Sequence, residues 1–140
     1  MSKEKEFDMQ PIVLTVLDDK LAVCRLNPNE PVSRWAAPPA NFLSVTLTKD
    51  EISIVCPSEK VPEKVPEEVK CEKDWIAFKI EGPLDFGLIG ILASIAKVLA
   101  DAKISIFSIS TYDTGYILVK EKSRQQSIEA LKKAGYKINQ

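Results

Sequence analysis

The chain has 140 residues, 45% apolar and 28% charged, and its 19 basic and 20 acidic side chains leave a net charge of -1. That is the make-up of a soluble globular protein with a real core, in one domain or two small ones. Balanced charge and a pI near 5.6 exclude a general electrostatic pull toward nucleic acid or an anionic membrane.

The first ten residues, MSKEKEFDMQ, are charged and lack the apolar stretch of a secretory signal, so the expected location is cytoplasmic. Residues 1–9 read as a frayed tail. Pro11 to Leu17 reads as a strand, Asp18-Asp19-Lys20 as its turn, and Leu21 to Leu26 as its hairpin partner. Asn27 to Pro31 breaks the strand. Val32 to Ala37 is expected as a short helix that Pro38-Pro39 stops. Phe42 to Thr48 and Ile52 to Cys56 read as two more strands around Lys49-Asp50-Glu51. Residues 57–73 then change character: Glu-Lys-Val-Pro occurs twice, and prolines at 57, 62 and 66 forbid a long helix. The stretch reads as a solvated connector, extended or with a single turn.

Beyond the connector the order is strand, helix, strand, strand, helix, strand. Trp75 to Ile80 opens it. Leu88, Ile91, Leu92, Ile95, Leu99 and Ala102 recur at helical spacing, and Asp85 is placed to cap that helix. Gly90 to Ala102 is too short, and too interrupted by Lys97 and Asp101, to span a bilayer. Ile104 to Ile109 and Tyr116 to Val119 follow as strands. Ser123 to Ala134 is a helix with Ile128 and Leu131 inward and Gly135 as its stop, and Tyr136 to Ile138 is a last strand. This βαββαβ order is the ferredoxin-like unit, an α+β arrangement of antiparallel sheet with helices on one face. The first half can be a reduced version of it. Two modules, 10–71 and 72–140, are therefore expected to pack against each other.

The three cysteines, Cys24, Cys56 and Cys71, are odd in number, widely spaced and without a C-x-x-C. They read as buried thiols rather than as a disulfide framework or a metal site. The chain has no histidine, so the commonest general base is missing, and no nucleophile stands with an obvious partner. An enzyme is not expected, nor a cofactor. Trp35 and Trp75 read as packing residues.

Two stretches offer ligand chemistry. Gly82-Pro83-Leu84-Asp85-Phe86-Gly87-Leu88-Ile89-Gly90 sets three glycines at a helix start, where unpaired N–H groups and the helix dipole favour an anion. It is not a Walker A loop. Ser110 to Tyr116 crowds hydroxyls and Asp113 into a strand turn. Each stretch alone is also explained by ordinary packing and turn chemistry.

The run GPLDFGLIGILASIAKVLADAKISIFSISTYDTGYILV closely resembles an ACT domain. It is most like the small bacterial two-ACT proteins related to aspartate-kinase regulatory regions and to the CASTOR arginine sensors. LAVCRLNPNEPVSRW, FLSVTLTKDEISIVC and WIAFKIEGPLDF extend the likeness over nearly the whole chain. The resemblance implies tandem ACT modules, amino-acid binding at an ACT–ACT interface, a homodimer, and an unidentified protein target. It places the ligand between Leu84, Asp85, Phe86, Gly87, Leu88, Ile89 and Gly90 on one side and Thr111, Tyr112, Asp113, Thr114 and Gly115 on the other. Relatives usually read S-T-Y-x-T-D-Y, and this chain carries Gly115 where they carry Asp. The resemblance thus implies a small amino acid rather than a cationic one. Two other readings stand beside it: a structural dimer with a decayed ligand site, and an RNA-binding module of the same element order. The latter needs basic and aromatic side chains on its central strands, where only Tyr116 is on offer.

Overall fold

The computed structural model describes residues 12–32, 34–82 and 88–140, with the backbone alone at 88 and 89. Among these residues there are eight strands and two α-helices. In chain order they are β1 (Val13–Val16), β2 (Leu21–Leu26), β3 (Ser44–Leu47), β4 (Ile52–Pro57), β5 (Lys70–Ile80), α1 (Leu88–Asp101), β6 (Phe107–Ser110), β7 (Gly115–Lys120), α2 (Arg124–Lys133) and β8 (Lys137–Asn139). Short 3₁₀ turns, Ser58–Lys60 and Glu121–Ser123, follow β4 and β7. The fold is α+β, as the periodicities predict.

The chain divides into two compact units: Asp18–Ile76, and the N-terminal segment through Leu17 together with Ala77–Gln140. This differs from a linear cut at 71/72. The cut would fall inside β5, which starts at Lys70 rather than at Trp75. It would also assign β1 to the wrong half.

In the unit Asp18–Ile76 the strands run β3-β4-β2-β5, all antiparallel. Alternation along the strands puts Ala22, Cys24 and Leu26 of β2 beside Ile52, Ile54 and Cys56 of β4 on one face. Trp35, Leu43, Val65 and Val69, from the segments before β3 and β5, pack on that face. The helix expected over Val32 to Ala37 does not form: the described residues from Arg34 to Pro39 are turn and bends. Pro38 disfavours the helical region for Ala37, and Ala36 is instead buried as a single anchor. The Lys60 ammonium fixes the segment by donating to the carbonyl oxygens of Ala37 and Pro39, the latter at 2.7 Å.

The cysteines also depart from expectation. Cys24 and Cys71 stand opposite each other in the β2–β5 ladder, with their Cα atoms 4.1 Å apart, and are joined as a disulfide. Spacing along the chain hides this pair, because the register that opposes them is made by strands 47 residues apart. Cys56 stays a free, buried thiol. Burial pushes its pKa up, against a smaller opposite pull from the Lys60 charge.

In the other unit the order is β8-β1-β5-β7-β6. Here β1 is not the hairpin partner of β2. It lies antiparallel to β5, Leu14 facing Ile80, and parallel to β8, Leu14 facing Ile138. An isolated two-stranded hairpin is marginal, whereas a strand laddered on both edges satisfies its backbone fully. Leu14 is accordingly fully buried. The result is a ferredoxin-like unit with one extra strand between its first and last.

Helix α1 buries Ile95 and Leu99, and α2 buries Ser127, Ile128 and Leu131. The two helices touch each other, and the Ser94 and Tyr136 hydroxyls bond across from α1 to the approach of β8. Gly135 ends α2 at φ +103°, the left-handed conformation glycine accepts without strain, and lets Tyr136 N–H reach the Leu131 carbonyl at 3.0 Å. No helix among the described residues is long and apolar enough to cross a membrane.

Candidate functional site

Of the residues expected to hold a ligand, Leu84, Asp85, Phe86 and Gly87 lie outside the described residues, as does Asp85 in its capping role. What the structure gives is the helix start behind that loop, the foot of the loop, and the β6–β7 turn.

The foot is Glu81. It follows β5 directly, and its carboxylate accepts from Thr15 Oγ1 at 2.6 Å and faces Lys79 Nζ at 3.7 Å. Glu81 is half-buried and so is presented beside Gly82 rather than lost in the core. The sequence signal for it was a carboxylate immediately before the Gly-Pro turn.

At the helix start, α1 carries no acidic residue in its first turn. The positive end of its dipole is therefore not neutralised from within the helix. Gly90 is exposed, and among the described residues a Cβ added there would meet nothing within 4 Å. Glycine inside a helix costs roughly 0.5–1 kcal/mol relative to alanine, and no packing within the described chain requires it.

The β6–β7 turn is closed by its own threonines. Thr111 N–H donates to the Thr114 carbonyl at 2.8 Å, Thr114 N–H donates back to Thr111 Oγ1 at 3.2 Å, and the two hydroxyls bond each other. Ordinary turn chemistry thus occupies these groups, as it does in most threonine turns. Tyr112 at the tip is 100% exposed, Asp113 beside it is exposed, and Gly115 is buried where it pairs with Ser110. The turn therefore offers an aromatic ring and one carboxylate, and the hydroxyls serve its shape. Among the described residues no three His, Cys, Asp or Glu side chains converge as a metal site.

A family model described as an ACT domain matches residues 70–133, and a model of an N-terminal domain matches residues 19–64. Residues 70–133 thus make up an ACT domain. The ACT match covers β5 to α2 and thus both stretches described above. The human protein named cytosolic arginine sensor for mTORC1 subunit 1 is 33% identical over 129 residues, 88% of this chain. The chain spans 39% of that relative's length. A crystal structure of an Agrobacterium tumefaciens protein is similar with a TM-score of 0.81, at 32% identity, over 91% of this chain and 92% of that one. The regulatory subunit of aspartate kinase from Thermus thermophilus shares the fold, with a TM-score of 0.58 and 12% identity over 85% of this chain and 96% of that one.

Proposed function

We propose that this ACT protein is a non-catalytic regulatory module that senses a small amino acid. The ligand sits between the Leu84–Gly90 loop and the Thr111–Gly115 turn, at an interface between ACT modules of two copies of the chain. Helix α1 takes the carboxylate through its free N–H groups, and Asp113 or Glu81 takes the ammonium. Likeness to a cytosolic sensor supports a cytoplasmic role, with the signal passed on by association with another protein. The observation that carries the reading is Gly90: a solvent-facing helical glycine with no described neighbour to crowd its missing Cβ. Tyr112, fully exposed at the turn tip, supplies contact area for a second copy.

Thermal-shift screening against the twenty amino acids tests the reading. A ligand at a hundred times its Kd stabilises the native state by about 2.7 kcal/mol. For a chain of this size that raises the midpoint by roughly 8–12 °C. Gly90→Leu improves helix propensity but blocks close approach, so it is expected to abolish the shift while raising the unliganded midpoint by roughly 2–5 °C. A full shift in the variant overturns the placement of the site.

A structural dimer with a decayed site is the second reading. Gly115 and the self-bonded threonine pair favour it. No shift with any amino acid at millimolar concentration, together with a dimer mass in light scattering, selects it.

A further inference from the structure

We propose that Cys24 and Cys71 form a reversible redox site whose two states set the shape of the groove beside it. The two cysteines are direct cross-strand partners, Cα to Cα 4.1 Å, and are bonded to each other in the ladder. Their surroundings differ. Cys24 is 1% exposed within the core of its unit, while Cys71 is only half-buried. Cys71 is thus the more accessible residue of the two and the one proposed to meet an incoming thiolate.

The ladder around the pair is irregular. Its register shifts between Leu21 and Val23, and Asp74 of β5 has φ +65°, left-handed for a residue with a side chain. The pairs Val23–Glu72, Cys24–Cys71 and Arg25–Lys70 are in regular register, and the sulfur bridge ties the strands covalently just beside the shift.

A cavity of about 360 Å³ opens in the same unit. One wall continues from β2 through Leu26, Arg34 and Trp35. The other precedes β5 and carries Val65, Glu68 and Val69. Leu26 is two residues beyond Cys24 and Val69 two residues before Cys71, so the bond ties together the two strand ends that lead into these walls. The wall from Val61 to Val69 has no strand or helix of its own among the described residues. It is held by Val61, Val65 and Val69 packing on the core.

Opening follows thiol–disulfide exchange with glutathione, the class of reductant invoked here. A glutathione thiolate attacks Cys71 Sγ, the Cys24–Cys71 bond breaks, and Cys24 leaves as a thiolate and takes a proton. A second glutathione thiolate attacks the glutathione sulfur of the mixed disulfide, releasing oxidised glutathione and the Cys71 thiolate, which is protonated in turn. Two glutathione thiols are oxidised and one protein disulfide is reduced, two electrons in all. Oxidised glutathione drives the reverse. Cys56, fully buried on β4, takes no part.

The test uses the whole chain in glutathione buffers of stepped ratio, quenched in acid, unfolded, alkylated and weighed intact. The expected result is a single transition between a species that takes one alkyl group and a species that takes three. The Cys24→Ala variant traps a glutathione adduct on Cys71, and Cys71→Ser takes none on Cys24. Trp35 emission is expected to differ between the two states, the difference vanishing in Trp35→Phe. The oxidised form should melt roughly 5–15 °C higher, given the long loop that the bond closes. A chain that takes three alkyl groups at every ratio, or two states with the same midpoint and the same Trp35 emission, overturns the proposal. Cys56→Ala retains the pair and serves as the control for folding.

Discussion

Leu14→Ala decides whether the N-terminal strand belongs to the C-terminal unit. Leu14 has no solvent exposure and stands in ladders with Ile80 of β5 and Ile138 of β8. Truncation removes three carbons, about 0.8 kcal/mol each in transfer free energy, or roughly 2.4 kcal/mol. The cavity left between two laddered neighbours adds about 1 kcal/mol, for an expected loss near 3 kcal/mol. At 140 residues each kcal/mol lowers the midpoint by about 3–5 °C, so the variant should melt roughly 10–15 °C below the wild type. Urea unfolding gives the free energy, and amide hydrogen exchange gives the location. Lys137 N–H donates to the Ile12 carbonyl, Glu81 N–H to the Val13 carbonyl and Leu17 N–H to the Ala77 carbonyl, each at 2.9 Å. These amides should lose protection earliest, while the β2–β4 ladder from Leu21 to Leu26 loses it last. A cost under about 1 kcal/mol refutes this placement of β1. So does opening of the β2 amides first while Lys137 stays protected, the pattern of a hairpin between residues 11–17 and 21–26.

Ser127 is fully buried in α2, and its hydroxyl finds no partner among the described residues. Ser127→Ala removes an unbonded polar group and improves helix propensity, so the urea midpoint should rise by the equivalent of about 0.5–1 kcal/mol. The raised pKa of Cys56 protects the neutral thiol in the native state. Its stability contribution is complete below the ordinary thiol pKa of about 8.5 and is lost as pH climbs from there toward the folded value, at up to about 1.4 kcal/mol per pH unit. Cys56→Ala should flatten the alkaline decline in stability between pH 8 and 10, as read by denaturant titration. Gly115→Asp places a carboxylate at a buried position and should cost about 1–3 kcal/mol. It should also produce an arginine-dependent thermal shift that the wild type lacks.

What the sequence revealed is what period and local turn chemistry control. The stripe through Ile95 and Leu99, the stop at Gly135 and the hairpin of β3 with β4 depend on neighbours a few residues away, and all three stand in the structure. The errors fall where a partner is remote. Val13–Val16 and Leu21–Leu26 are two apolar strands separated by a polar turn, a pattern that a hairpin and a divergence into separate ladders satisfy equally well. The choice is made by β8, more than a hundred residues later, which offers β1 a second edge. The same remoteness hid the cysteine pair, since its register depends on a bulged ladder whose slip no local signal announces.

The candidate site divides along the same line. The β6–β7 turn was legible because Ser, Thr and Asp declare a turn wherever they cluster. What could not be read is how those groups are spent. Thr111 and Thr114 spend their hydroxyls on each other, which leaves the exposed Tyr112 and Asp113 as the side chains the turn offers to a ligand or partner. Gly115, read as a departure from the family pattern, also proves to be a buried ladder position opposite Ser110. A carboxylate there needs a charged partner brought by a ligand or a second chain, because an unpaired buried charge is expensive. Glycine removes that need. On the proposed reading the ammonium of a ligand is met from the exposed side, by Asp113 at the turn or Glu81 at the foot of the loop. A double-mutant cycle between Asp113→Asn and Glu81→Gln on ligand affinity measures which carboxylate does so.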